Sequence, residues 1–249
     1  MKGKIVFITG AGSGIGRQTA LDFAELGAIP IVVDIDEAKI KAVVDEIKNK
    51  GGDAYPLKLD ITDTEAVKKA VDEIAEKYQK IDILVNNAGV QSNPGDFIRT
   101  KKKNWDHEIN VNIYGVLNCT QAIAKIMKRQ NYGRIVSIGS DAGKVGEPLI
   151  VVYSGTKGFI IAFTKALAKE LGKSNITVNM VCPGTTRTPL TEPLFQGAPQ
   201  IIEKMVKRYP MRRLGEPKDI SNAVLFLAKE ESGWITGQIL SVSGGYSMC

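Results

Sequence analysis

The chain has 249 residues, 43% of them apolar and 24% charged, ordinary figures for a folded globular protein that buries a core of its own. Lys plus Arg outnumber Asp plus Glu by 33 to 27, a formal charge of +6, but the excess forms neither a tail nor a stripe, which argues against nucleic acid as a partner. Three scattered cysteines and a single histidine, His107, exclude a disulfide framework and most zinc chemistry, and no run reaches the ~20 apolar residues of a membrane span. A reduced, cytoplasmic protein with no metal and no membrane contact is expected.

Ile5–Thr9 reads as a buried strand. Lys2 and Lys4 before it give a faint likeness to a leader, which Gly10 to Gly12 cut short. Gly14–Gly27 has helical spacing, Ile31–Asp34 is a second strand, and Glu37–Lys50 is a helix ended by Gly51 and Gly52. Ala54–Leu59 is a third strand, and Thr62 is placed to cap a helix over Asp63–Tyr78. Asp82–Val85, Arg134–Ile138, Thr177–Val181 and Ile239–Val242 supply four more strands. Between them, helical patterns run over Trp105–Arg129, Val151–Leu171 and Ile220–Ala228. Strand–helix alternation of this kind predicts an α/β fold: a Rossmann-type, doubly wound, seven-stranded parallel sheet in a single domain over 1–249. Thr185–Pro210, rich in Thr, Pro and Gly, has the weakest pattern and is the expected lid, over 185–210.

The first strand runs into Gly10, Gly12, Gly14 and Gly16, and a helix follows. Glycines there let the backbone turn and approach a pyrophosphate, which the helix N-terminus attracts. Gly10, Ser13, Gly14, Ile15 and Gly16 are therefore candidate cofactor contacts. Asp34 ends the second strand about 20 residues on, where a carboxylate accepts the hydroxyls of an adenosine ribose and repels a 2′-phosphate. NAD is the expected cofactor over NADP, with Arg17 the one opposing signal.

With these motifs the sequence resembles the short-chain dehydrogenase/reductase family over essentially its whole length. The resemblance rests on Thr9 to Gly16, Asp60-Ile61, Asn86-Asn87-Ala88-Gly89, Asn112, Ser140, Tyr153 with Lys157, and Pro183-Gly184. It implies that Asp60 and Ile61 flank the adenine and that Asn87, Ala88 and Gly89 close the fourth strand beside the cofactor. It implies, too, that Pro183, Gly184 and Thr188 hold the nicotinamide, and that Asn112 holds a proton-relaying water.

Tyr153 and Lys157, four apart on a helix, share one face. An ammonium ~4 Å from a phenol is worth roughly 4 kcal/mol at an effective dielectric of 20, or about 3 units of pKa downward. That would bring Tyr153 into range as an acid–base group, with Ser140 donating to the substrate oxygen and Lys157 also binding the nicotinamide ribose. The expected activity is hydride transfer between a nicotinamide and a secondary alcohol or ketone.

Val181-Cys182-Pro183-Gly184, Ser140-Asp141-Ala142 and the ending Ser241-Val-Ser-Gly-Gly245 resemble the β-hydroxyacyl-CoA dehydrogenase branch of the family. That branch includes enzymes acting on 2-hydroxycyclohexanecarboxyl-CoA and on hydroxy(phenyl)methylsuccinyl-CoA. Ser243 stands where many members carry Asp. Coenzyme A brings several phosphates, and Lys204, Lys207, Arg208, Arg212 and Arg213 cluster at the end of the expected lid and just beyond it, with Arg187 nearer the site. Asp141, Arg187, Arg208, Arg212 and Arg213 are thus candidate substrate contacts, with a solvated, ion-paired helix face as the alternative. A sterol, sugar or acyl-carrier-protein oxidoreductase, and a nucleotide-sensing or structural partner subunit, remain open as other readings. The resemblance also implies a homotetramer packed through Trp105–Arg129 and Val151–Leu171.

Overall fold

Runs of β-branched residues too apolar to face water on either side must be buried on both. In the computed structural model, which describes residues 1–192 and 199–248, four such strands lie at the centre of one sheet. They are β1 (Ile5–Thr9), β4 (Ile83–Asn86), β5 (Gly133–Ile138) and β6 (Ile176–Pro183), every residue buried. β2 (Ile29–Asp34), β3 (Tyr55–Lys58) and β7 (Ile239–Val242) complete a seven-stranded parallel sheet in the order β3-β2-β1-β4-β5-β6-β7. Register is continuous across the centre, Ile8 pairing with Val32 on one side and with Val85 on the other.

Alternate residues of each strand feed opposite cores. Val6 and Ile8 pack with α1 (Gly14–Glu25), α2 (Glu37–Asn49) and α9 (Pro217–Ala228) through Phe23, Val44 and Val224. Ile5 and Phe7 face α3 (Thr64–Tyr78), α5 (Gly115–Gln130) and α7 (Val151–Leu171) through Val71, Ile123 and Leu171. A one-residue slip of β1 would exchange its two faces.

Asp22 is 3% exposed and ties α1 to α9. It accepts from Lys218 Nζ at 2.6 Å, Ser221 Oγ at 2.5 Å and Gln18 Nε2 at 2.9 Å. Removing the carboxylate orphans the fully buried Ser221 hydroxyl. Asp22→Ala should lower unfolding stability by about 2–4 kcal/mol, read from urea denaturation; a loss below about 0.5 kcal/mol would refute the clamp.

Two expectations need correction, and a third gains detail. Asp63, not Thr62, caps α3: its carboxylate accepts from Ala66 N at 2.9 Å, while Thr62 turns back to Asp60 through its N–H and hydroxyl. The helical region expected over Trp105–Arg129 is present and runs unbroken from Lys102 to Gln130, with a π-turn at Asn110–Tyr114 between α4 (Lys102–Ile109) and α5. The segment expected to be irregular contains α8 (Pro199–Arg208), whose Ile202, Met205 and Val206 pack with Tyr209 at helical spacing. Residues 193–198 of the expected lid lie outside the described residues. A short α6 (Ala142–Val145) follows β5. Among the described residues, no helix is long and apolar enough to cross a membrane.

Candidate active site

The connections leaving β1 and β4 run to opposite sides of the sheet, and a crevice opens at such a switch point beyond the strand ends. Here it is a cleft of about 700 Å³. Its floor at one end is the β1–α1 turn. Gly10 has φ +62° and Gly14 φ +53°, conformations that disfavour a side chain. A Cβ on Gly10 would stand 2.8 Å from Ala88 Cα, and one on Gly16 would stand 2.3 Å from the Gly10 carbonyl oxygen. Ser13 precedes α1 in extended conformation without capping it, so the first N–H groups of that helix are open to an anion.

Gly10, Ser13, Gly14 and Ile15 line the cleft, and Gly16 acts behind them as the point of close packing. Asn87 fastens this turn to β4. Its Nδ2 donates to the carbonyls of Thr9 and Gly10 at 2.8 and 3.0 Å, and its N–H and that of Ala88 both donate to Thr9 Oγ1 at 3.0 Å.

Asp34 lies on the same wall. Its Oδ2 accepts from Gly12 N at 3.0 Å and its Oδ1 from Asp36 N at 3.1 Å, which fixes the carboxylate at the end of β2. Asp60 and Ile61 stand beside it along the cleft. Arg17, the signal against NAD, is ion-paired to Glu46 of α2. An adenosine ribose with free hydroxyls fits this end, and a 2′-phosphate would meet the carboxylate.

At the other end, Ser140 ends the loop after β5, and Tyr153 and Lys157 project from α7; all three line the cleft. The Ser140 hydroxyl, which favours the charged form of the Tyr153 phenol, accepts from Ala142 N at 3.1 Å. Lys157 is buried and donates to the Ile138 carbonyl at 3.0 Å, its Nζ 5.6 Å from the Tyr153 ring centroid.

The expected downward shift of Tyr153 is not found. Burial pushes its phenol up to about 12, with Glu108 adding to the rise and the Ser140 hydroxyl opposing it. Burial likewise pulls Lys157 down to about 8. The same desolvation disfavours both charged forms, and the ammonium is turned to a carbonyl rather than to the phenol.

These shifts carry a sign for stability. The unfolded lysine titrates near 10.5 and the folded one near 8, so between those values the unfolded chain holds more protons and stability rises with pH. Tyr153 moves the other way, its contribution lost as pH climbs from 10 towards 12. The cofactor-free protein should gain stability from about pH 8 to pH 10 relative to Lys157→Met, measured by chemical denaturation across that range. Parallel pH profiles would contradict the buried, weakened ammonium.

Asn112 is fully buried in the π-turn and does not line the cleft. Its Oδ1 accepts from Val90 N and its Nδ2 donates to Val90 O, both at 2.9 Å, with Thr156 Oγ1 at 3.2 Å. The side chain splints the loop after β4 to α7. Gly89 sits between it and Lys157: a Cβ there would lie 3.4 Å from Asn112 Oδ1 and 3.3 Å from Lys157 Nζ. Pro183, Gly184 and Thr188 line the cleft where β6 ends.

The expected basic substrate cluster is divided. Arg208 lines the cleft, but Arg187, Arg212 and Arg213 do not. Arg213 makes a two-pronged ion pair with Asp219 at 2.5 and 2.8 Å, and Arg212 donates to the Lys207 carbonyl from a left-handed turn at φ +54°. Arg187 is exposed. Asp141 is 2% exposed, accepts from Ser241 Oγ at 2.8 Å and anchors the C-terminal strand. Unforeseen in the sequence are Glu147 and Tyr246, remote in the chain yet both in the cleft wall, and the apolar lining from Val90, Leu149, Ile150, Leu190 and Met205. The Met205 contact follows from α8, whose spacing was readable; the Tyr246 contact carries no local signal.

Residues 10–247 match a family model described as enoyl-(acyl carrier protein) reductase. The chain is 40% identical over 245 residues to a 3-oxoacyl-(acyl-carrier-protein) reductase, FabG, of Thermotoga maritima, covering 98% of each chain. It is 42% identical over 250 residues to the (2S)-((R)-hydroxy(phenyl)methyl)succinyl-CoA dehydrogenase subunit BbsD of Thauera aromatica, covering all of this chain and 98% of that one. Among solved structures it is similar to a 3-ketoacyl-(acyl-carrier-protein) reductase of Brucella melitensis complexed with NADH. That match has a TM-score of 0.90 and 34% identity, covering 99% of both chains.

Proposed function

Because this chain belongs to the short-chain dehydrogenase/reductase family, we propose that it is an NAD-dependent oxidoreductase that oxidises the β-hydroxyl of a hydroxyacyl thioester to a ketone. Tyr153 is its proton-exchanging group in this reading. The observation that carries the reading is that one cleft holds both the dinucleotide turn and the Ser140–Tyr153–Lys157 set. The relatives' named substrates, an oxoacyl carrier-protein ester and a succinyl-CoA, share an oxygen function on the acyl part of a thioester. The apolar wall of Leu149, Ile150, Leu190 and Met205 suits an alicyclic or aromatic acyl group.

Bound NAD supplies the acceptor for the hydride that leaves the carbinol carbon. Gly10 to Gly16 receive its pyrophosphate, Asp34 its adenosine ribose, and Pro183, Gly184 and Thr188 its nicotinamide. Ser140 donates to the substrate oxygen, which fixes the alcohol against Tyr153. Tyr153 takes the hydroxyl proton as the carbonyl forms, and returns one when the reaction runs towards the alcohol. A phenol held near 12 must first give its own proton to solvent before it can take the substrate's, and the positive charge of protonated Lys157 beside it favours that phenolate. Asn112 keeps the Val90 loop and α7 in register, so that these groups stay aligned. A homotetramer packed through α4, α5 and α7 accords with the stacked Phe159 and Phe163 on α7, Phe159 being partly exposed.

The test is a substrate panel followed by the absorbance of reduced nicotinamide. It sets alicyclic and aromatic β-hydroxyacyl-CoA esters and their N-acetylcysteamine counterparts against a sterol, a sugar alcohol and a hydroxyacyl carrier protein. The thioesters should exceed the sterol and the sugar alcohol by about 100-fold or more in kcat/KM. Preferred turnover of the sugar alcohol, or none of any thioester, would overturn the reading.

A further inference from the structure

Three distant parts of the chain meet in the cleft wall: Glu147 after α6, Arg208 at the end of α8, and Tyr246 near the C-terminus. Arg208 Nη2 lies 3.2 Å from Glu147 Oε1 and also donates to the Tyr246 hydroxyl, which in turn donates to Glu147 Oε1. The guanidinium stands 4.7 Å from the Tyr246 ring centroid. Every side-chain hydrogen bond of Arg208 among the described residues is made through Nη2. A guanidinium carries five donors in a fixed planar fork, so its remaining donors are left to a ligand, on a side chain that is 52% exposed. The latch is close to the chemistry: Glu147 N donates to Ser154 Oγ at 3.2 Å, and Ser154 is the neighbour of Tyr153.

We infer that Arg208 is a specificity residue that binds a carboxylate carried on the acyl part of the substrate, with Glu147 and Tyr246 positioning its fork. The inference rests on the hydroxyacyl thioester reading and names the substrate more closely. Two observations favour an acyl carboxylate over the phosphates of coenzyme A. The arginines named from the sequence do not gather into a polyanion cradle, since Arg212 and Arg213 are engaged elsewhere and Arg208 alone of them lines the cleft. Arg208 also lines the same cleft as Ser140 and Tyr153, whereas the phosphates of coenzyme A lie beyond its pantetheine arm. A planar fork and a single carboxylate are matched in geometry. The Thauera relative is named for a succinyl thioester, an acyl group that bears such a carboxylate.

The experiment measures binding to the NAD-loaded protein by calorimetry, for wild type, Arg208→Gln and Arg208→Lys. The ligands are a hydroxyacyl N-acetylcysteamine thioester bearing an acyl carboxylate, its methyl ester, and a carboxylate-free hydroxyacyl-CoA. Arg208→Gln should weaken the carboxylate ligand about 10- to 100-fold and the other two less than about threefold. Arg208→Lys, which keeps the charge and loses the fork, should fall between. Equal losses on all three ligands would make the latch merely structural, and a loss confined to the CoA ester would assign the arginine to phosphate; either overturns the inference. Binding is read without turnover, so a wild type that binds the carboxylate ligand through Arg208 yet oxidises no thioester would sink the proposed reaction and leave this inference standing.

Discussion

Tyr153→Phe should lower kcat for alcohol oxidation about 10²- to 10⁴-fold, the range a positioned acid–base group contributes, while the dissociation constant for NAD changes by less than about tenfold. The two effects separate because the variant keeps the ring and removes only the hydroxyl that meets Ser140. The dinucleotide turn, Asp34 and the β6 end stand on other elements and are untouched. Steady-state kinetics and fluorescence titration of NAD give the two quantities. A kcat within about threefold of wild type would remove Tyr153 from the chemistry. Comparable loss of NAD binding and of kcat would make it a structural residue of the cleft.

Asp34→Ser should erase the preference for NAD over NADP. In the wild type a 2′-phosphate would be brought against a carboxylate pinned by Gly12 N and Asp36 N and unable to swing aside. Like charges ~4 Å apart at an effective dielectric of 20 cost about 4 kcal/mol before screening, which supports an NAD to NADP ratio in kcat/KM on the order of 10² to 10³. The serine retains one weak ribose contact and loses the repulsion. NAD should weaken about 10- to 100-fold, from the loss of hydrogen bonds to a charged group, as NADP improves. An unchanged ratio would place the ribose elsewhere. Arg17 offers NADP no rescue, since Glu46 already holds it.

The parts of the fold legible in the sequence are those set by local pattern. β1 and β7 begin and end where their apolar runs do, and the helix after the glycines starts at Gly14 as its spacing requires. Asp34 was placed correctly at the strand end because the β1–α1–β2 unit is short and its turn chemistry specific. What local pattern could not give is competition between neighbours. Thr62 and Asp63 both qualify as caps, and only the position of Asp60 decides that Thr62 bonds backwards. The π-turn at Asn110–Tyr114 sits within an unbroken helical pattern. The basic cluster in and after α8 is coherent as a string of letters, yet the left-handed turn at Arg212 and the pull of Asp219 on Arg213 scatter it.

The Tyr153–Lys157 pair shows the same limit in energetic form. Spacing correctly put both on one helix face in one cleft, but the net pKa is a balance between attraction and desolvation that the sequence does not contain. With Lys157 turned to Ile138 O, desolvation wins at both residues. Competence as a base at neutral pH is then a property of the assembled site, acquired with charge beside the phenol.

Hydride transfer from an alcohol carbon directly to NAD is the chemistry of this cleft. Its most direct test uses a β-hydroxyacyl thioester deuterated at the carbinol carbon, incubated with the protein and NAD, with the reduced nicotinamide recovered and weighed by mass spectrometry. The account predicts that the label appears in the reduced cofactor of the wild type, and that Tyr153→Phe forms far less of it. Ketone formed with the deuterium lost to water, or no reduced cofactor at all, would contradict it.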